Sequence, residues 1–212
     1  MVPDGLRDKL RSQRKADLRA ARLLASAAAD GDAAAFAEAV HRMNETVDGW
    51  RFAMTRIARL PAVSAEIQNV WIGIWVEHKS VPRAVGDRRL LARALRRLMP
   101  CDYRGERVLL YKGTTQGERR RCIYGFSWTR DLEIARNFAR RHAEASDKLR
   151  AAGMENGCAS GVVLETMAPS GAILLFRDDE DNYDESVAGS ATWDVEWHVL
   201  NIELDDPGPS QA

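Results

Sequence analysis

The sequence predicts an α+β protein: an N-terminal helical bundle over about residues 1–100, a split β-sheet domain over 101–206, and a tail at 207–212. Three observations lead there. Apolar residues recur at steps of three and four through the first hundred positions, the spacing of helices with one buried face. From Cys101 onward the pattern changes to short apolar runs of strand length with a single helical stretch between them. Helices first and strands later is the order of an α+β fold, whereas a doubly wound sheet alternates the two.

In the first hundred residues, Asp4 caps a helix running to about Ala29, which Gly31 ends. Asp32 opens a second helix, in which Phe36, Val40, Met43, Val47, Trp50, Met54 and Ile57 recur at helical steps until Pro61 stops it. Ser64 begins a third, with Ile67, Val70, Trp71, Ile74 and Trp75 as its apolar stripe. After a loop around Pro82, Asp87 caps a fourth, with Leu90, Leu91, Ala94, Leu95 and Leu98 on one face and Pro100 at its close. Trp50, Trp71 and Trp75 are assigned to core packing between these helices.

In the second half, RVLLYK (107–112) is a strand followed by a turn, GTTQGE. A second strand covers 122–128, with Ile123 and Phe126 as its apolar members. Thr129 fits an N-cap, with Asp131 and Glu133 in the first turn, where they favour the helix dipole. Ile134, Ala135, Phe138, Ala139 and His142 make the buried face of that helix. GVVLET (161–166) and AILLF (172–176) are further strands. WDVEWHVLNIEL (193–204) is a long alternating strand whose parity switches near Val199–Leu200, the mark of a bulge.

Composition narrows the function classes. The chain has 212 residues, 45% hydrophobic and 29% charged, with a net charge of zero, enough for one large domain or two small ones. Cys101, Cys122 and Cys158 are far apart, which argues against a disulfide framework or a structural zinc site. No apolar run reaches the roughly 18 residues of a membrane span, and the start does not read as a signal peptide. A soluble, cytoplasmic protein is expected. Charge is uneven: residues 1–100 hold 18 Lys/Arg against 11 Asp/Glu, and residues 101–212 hold 13 against 20. Helices with solvated Arg/Lys faces account for this asymmetry; the alternative is that the halves attract each other or steer different partners. No stretch shows the basic-plus-aromatic pattern of a nucleic-acid groove.

Standard catalytic constellations are missing: there is no Walker A loop, GxGxxG, HExxH or GxSxG. His41, His78, His142 and His198 stand singly. The acidic run from Asp178 to Glu185 lacks the glycine and spacing of a calcium loop and reads as a solvated loop with one functional carboxylate. Three segments of the second half stand out together: LYKG (110–113), YGFSWT (124–129) leading into the LEIARNFA helix, and YDES (183–186) before the last strands. Their order resembles the ADP-ribosyltransferase fold of the Arg–Ser–Glu class, met in bacterial toxins and phage-related proteins. The resemblance covers about residues 104–204, and YGFSWT with its helix is the most specific part.

That resemblance implies NAD as substrate and no metal, and assigns roles by position. NAD is a pyrophosphate dianion carrying a cationic nicotinamide, so its site needs a cation, hydrogen-bond donors and an aromatic surface. Lys112, beside Gly113, supplies the cation. Ser127 holds the NAD conformation, and Thr129 shares this or caps the helix. Tyr124 or Trp128 stacks on nicotinamide, although strand alternation sets Tyr124 and Phe126 opposite Ser127. Glu185 is the catalytic carboxylate, bonding the ribose 2′-hydroxyl and stabilising positive charge as nicotinamide leaves; Glu196 is the fallback. Two positions depart from the family pattern. Lys112 replaces an arginine, keeping the charge but losing the planar fork. Tyr183 replaces the acid that arginine-modifying members carry two residues before the catalytic Glu, which points away from arginine as acceptor. The implied partners are NAD, a protein or nucleic-acid acceptor and a cognate inhibitor, with no membrane. A toxin, phage-related effector or defence protein is the implied role. The alternatives are an inactive interaction module on the same fold and an NAD glycohydrolase.

Overall fold

The computed structural model describes residues 4–78, 80–122, 124–153, 160–176 and 198–200. It is an α+β protein whose chain divides into two compact units, Met1–Pro100 and Cys101–Ala212. Among the described residues no helix is long and apolar enough to cross a membrane.

The first unit is helical. Helix α1 spans Asp4–Asp30 and gives way to Gly31, which has a left-handed φ of 73°. Helix α2 (Ala33–Met43) is capped by Asp32, whose carboxylate accepts the Ala35 N–H at 2.9 Å. The sequence predicts one helix from here through Ile57, but the structure breaks it at residues 44–48 and restarts it as α3, Gly49–Ile57. The cause is Asp17 of α1, a carboxylate with only 2% of its residue exposed. It accepts hydrogen bonds from the backbone N–H groups of Asp48 (2.9 Å) and Val47 (3.4 Å) and from the Gln13 amide (2.8 Å). The Thr46 hydroxyl meanwhile donates to the Met43 carbonyl at the end of α2. Turning there lets α2 and α3 both pack on α1. It also drops Val47 out of the apolar stripe, where it is 71% exposed.

Helix α4 (Ala65–Glu77) starts at its Ser64 cap, as the sequence predicts, and buries Ile67, Trp71 and Ile74. Trp71 is the centre of this unit's core. The rings of Phe36, Trp50 and Trp75 lie 6.4, 6.2 and 6.2 Å from it. Around Pro82 the chain forms a short helix, α5 (Val81–Val85), rather than a loop. Proline is compatible with a first helical turn, where its missing N–H has no partner to lose. Helix α6 (Arg88–Leu98) is capped by Asp87 and buries the predicted Leu90, Leu91, Ala94, Leu95 and Leu98.

The second unit contains β1 (Val108–Thr115), α7 (Gln116–Arg120), β2 (Ser127–Trp128), α8 (Leu132–Ala151), β3 (Gly161–Ala168), β4 (Ile173–Leu175) and β5 (His198–Leu200). Strands β1 and β3 form an antiparallel ribbon, and β2, β5 and β4 form a second antiparallel sheet in that order. Where the sequence predicts a turn after Lys112, β1 continues to Thr115, which opens α7 through a reciprocal capping box with Glu118. The predicted strand 122–128 contracts to Ser127–Trp128 because the preceding residues turn; Ile123 lies outside the described residues. A 3-10 turn at Ser170–Ala172 shortens the strand predicted at 172–176 to β4. Of the predicted strand 193–204, only β5 lies among the described residues. The irregularity predicted near Val199–Leu200 falls on the partner strand, where Ile173 and Leu175 pair with Leu200 and Val199.

Helix α8 begins two residues later than a Thr129 cap implies. Asp131 is the cap, accepting the N–H groups of Glu133 and Ile134 at 2.6 and 3.1 Å, while the Thr129 hydroxyl accepts the Asp131 N–H at 3.1 Å. Aspartate outranks threonine as an N-cap. The helix lies on the β1–β3 ribbon and buries Ala135 and Ala139. Ile134 and Phe138 are half-buried and His142 is exposed, so the buried face is narrower than predicted.

Candidate functional site

Strand alternation gives β1 two faces. Leu110, Lys112 and Thr114 share one; Tyr111, Gly113 and Thr115 share the other. Leu110 packs with Trp128, Ala168 and Ile173, and Tyr124 and Leu164 pack against that cluster. Lys112, paired with Leu164 in the ribbon register, therefore rises from the same face as a hydrophobic core. Its ammonium donates to the Ser127 carbonyl at 2.9 Å. Gly125 leaves room for it: a Cβ there would lie 3.1 Å from Lys112 Nζ. Beside this contact, β1 and the end of β2 are bridged by paired backbone bonds. Tyr111 N–H donates to the Thr129 carbonyl at 2.7 Å, and Thr129 N–H donates to the Tyr111 carbonyl at 3.0 Å.

The structure thus brings LYKG and SWT side by side, with Lys112, Ser127 and Thr129 on adjoining backbone. Ser127 is half-buried and pairs with Val199, whereas Thr129 is buried at 4% exposure. Trp128 is 5% exposed, and its indole N–H donates to the Gly125 carbonyl at 3.1 Å. It is a core residue here, and Tyr124 packs against the same cluster. Gly113 is on the opposite face, beneath α8, where a Cβ would collide with the Ala135 carbonyl and the Ala139 N–H. Its visible work is packing, away from Lys112. Glu185 and Glu196 lie outside the described residues.

One carboxylate beside this face escaped the sequence reading. Glu118 accepts a hydrogen bond from the hydroxyl of Thr114, a buried residue two positions beyond Lys112 on the same face, and belongs to the capping box with Thr115. The signal was present as Thr115-x-x-Glu118, the spacing of such a box. An ammonium has three donors on a compact charge, so Lys112 is a localised cation beside a serine-bearing strand, suited to attract an anionic group. Among the described residues, no group of three or more His, Cys, Asp or Glu side chains is placed to hold a metal ion.

Fold and site together define an α+β protein whose second unit joins a lysine strand to a serine strand across two small sheets. No protein-family model, curated protein or solved structure matches the chain.

Proposed function

We propose that the second unit is an ADP-ribosyltransferase-like domain of the Arg–Ser–Glu class that uses NAD to modify a macromolecule, in a toxin, phage-related or defence role. The observation that carries this reading is the 2.9 Å contact between Lys112 and the Ser127 carbonyl, which joins the first two motifs in one place. In the reaction, the bond between the nicotinamide nitrogen and ribose C1′ breaks, and its electron pair leaves with neutral nicotinamide. A nucleophilic atom of the acceptor bonds to C1′ and releases a proton. Lys112 offsets pyrophosphate charge, Ser127 holds the ribose-nicotinamide half, and Glu185 stabilises the positive charge that grows on the ribose.

The test is nicotinamide release from NAD by the full chain, alone and with cell lysate. Glu185→Ala is expected to lower release by about a hundredfold or more, as loss of a transition-state electrostatic partner does. Lys112→Met is expected to lower it about tenfold, and Lys112→Arg to keep or raise it, since arginine adds a bidentate fork. Absence of both turnover and calorimetric NAD binding overturns the reading. A second reading, an inactive binding module on the same fold, is favoured by the burial of Trp128 in the core, which withdraws one of the two aromatic surfaces expected to stack on nicotinamide and leaves the half-buried Tyr124. Stoichiometric NAD binding without turnover would select it.

A further inference from the structure

Helix α6 carries Arg88, Arg89, Arg93, Arg96 and Arg97 in eleven residues and has no acid. Arg89, Arg93 and Arg96 are exposed and recur at steps of four and three, on the side opposite the buried Leu91, Ala94, Leu95 and Leu98. Elsewhere some helical arginines are paired within their own helix: Arg11 with Asp8 on α1, Arg42 with Glu38 on α2, Arg136 with Glu133 and Arg150 with Asp147 on α8. On α6, Arg89 and Arg93 make no ion pair among the described residues. Helices α3 and α5, packed against α6, extend the bias: their only charged residues are Arg51, Arg56 and Arg83. The remaining neighbour, α4, has acids only at its two ends, Glu66 and Glu77.

Part of this arrangement works against the helix that bears it. Asp87 caps the first turn and Arg96 and Arg97 suit the negative end of the dipole, but Arg88 and Arg89 sit at its positive end. The pairs Arg89–Arg93 and Arg93–Arg97 set like charges four residues apart. An external polyanion would relieve both. We propose that α6 docks the protein on the phosphate backbone of duplex DNA, without reading base sequence.

The surface itself selects this partner. Among the described residues, none of the exposed large hydrophobic side chains lies on α3, α5 or α6. There is thus no apolar wedge to enter a membrane and no apolar anchor for a protein interface. On these helices Trp50 is buried and Phe52 half-buried, so they offer no row of exposed rings on which unpaired bases would stack. The three exposed positions, Arg89, Arg93 and Arg96, span about 10 Å of the helix axis, a row of cations that can face several phosphates of a duplex carrying one charge per ~1.7 Å of its axis. Arginine adds forked donors that match phosphate oxygens. Phosphates of B-form DNA flank a major groove wide enough to admit a helix, whereas that of A-form RNA is narrow.

Fluorescence anisotropy of a labelled duplex DNA of about 20 base pairs, titrated with the full chain at 50 to 200 mM NaCl, tests the inference. Binding is expected, with affinity falling steeply as salt rises. Arg89→Gln/Arg93→Gln/Arg96→Gln should weaken binding at 50 mM salt at least tenfold and reduce the salt slope by about two to three. Arg136→Gln/Arg140→Gln/Arg150→Gln on α8 removes the same charge and should stay within about twofold of the parent. Should the α6 triple variant not fold, by circular dichroism, Arg93→Gln alone should lower the slope by about one. The inference is overturned if the parent does not bind, if both triple variants lose affinity equally, or if duplex RNA, single strands or phosphatidylserine vesicles bind better than duplex DNA.

Discussion

The two units join their elements by opposite means. In the first, helices meet around an added mass. Trp71 is wholly buried, and three more aromatic rings lie within 6.4 Å of its own. In the second, a helix meets a ribbon because mass is missing. Gly113 and Gly161 face the backbone of α8 on one side of the β1–β3 ribbon, and the helix turns Ala135 and Ala139 toward it. A Cβ at Gly113 would lie 2.7 Å from the Phe138 Cβ and would also collide with α8 backbone; one at Gly161 would strike the Ala139 carbonyl. Volume is therefore critical in both places with opposite sign. A large side chain fills the first gap, and the absence of any side chain closes the second.

The largest expected effect breaks the first half of this comparison. Trp71→Ala leaves a cavity among Phe36, Trp50 and Trp75 and should cost about 4 kcal/mol. Hydrogen exchange read by mass spectrometry should show the loss of protection in peptides of α2, α3 and α4. A cost under about 1 kcal/mol would mean that the aromatic cluster is not what organises these helices. Next comes Gly113→Ala, a single added methyl group, expected to cost about 3 kcal/mol because the obstacle is helix backbone rather than a side chain that can swing away. Exchange should then rise in β1, β3 and α8 while α3 and α4 keep their protection. Wild-type urea stability in this variant would show that α8 does not rest on the ribbon through these glycines.

The same contrast explains what could be read from the chain. Phe36, Met43, Trp50, Trp71 and Leu95 announce themselves by helical spacing, and Asp32, Ser64 and Asp87 cap groups three residues away, so the first unit is largely legible. Besides the short helix α5 read as a loop, its misread element is the break at residues 44–48, which is set by Asp17, about 30 positions distant, and no local pattern encodes that. Where α8 meets the ribbon in the second unit, the packing residues are glycines and alanines, which carry no hydrophobic period. LYKG and YGFSWT, picked out by their order, lie side by side in the structure. What that order lacks is depth: Ser127 and Trp128 are neighbours in sequence, yet one flanks Lys112 and the other fills the core. Only three-dimensional packing separates those roles.

The smallest effect sharpens the comparison at a point where packing plays no part. Glu66 is fully exposed in the first turn of α4, and its carboxyl is held below the ordinary carboxylate value. Its bond with its own backbone N–H is the larger cause and the Ser64 hydroxyl the second; slight desolvation opposes both. A carboxyl whose value is lowered on folding contributes stability above its unfolded value, and that contribution fades as pH falls through the folded one. Glu66→Gln should therefore flatten the acid limb of the first unit's stability curve without disturbing its core. Ser64→Ala should cost about 1 kcal/mol as a lost cap. It should also raise the Glu66 midpoint in an NMR titration while leaving it below the ordinary value, because the backbone bond remains. A midpoint that does not move would assign the whole depression to the helix end, and one that rises fully to the ordinary value would assign it to the serine.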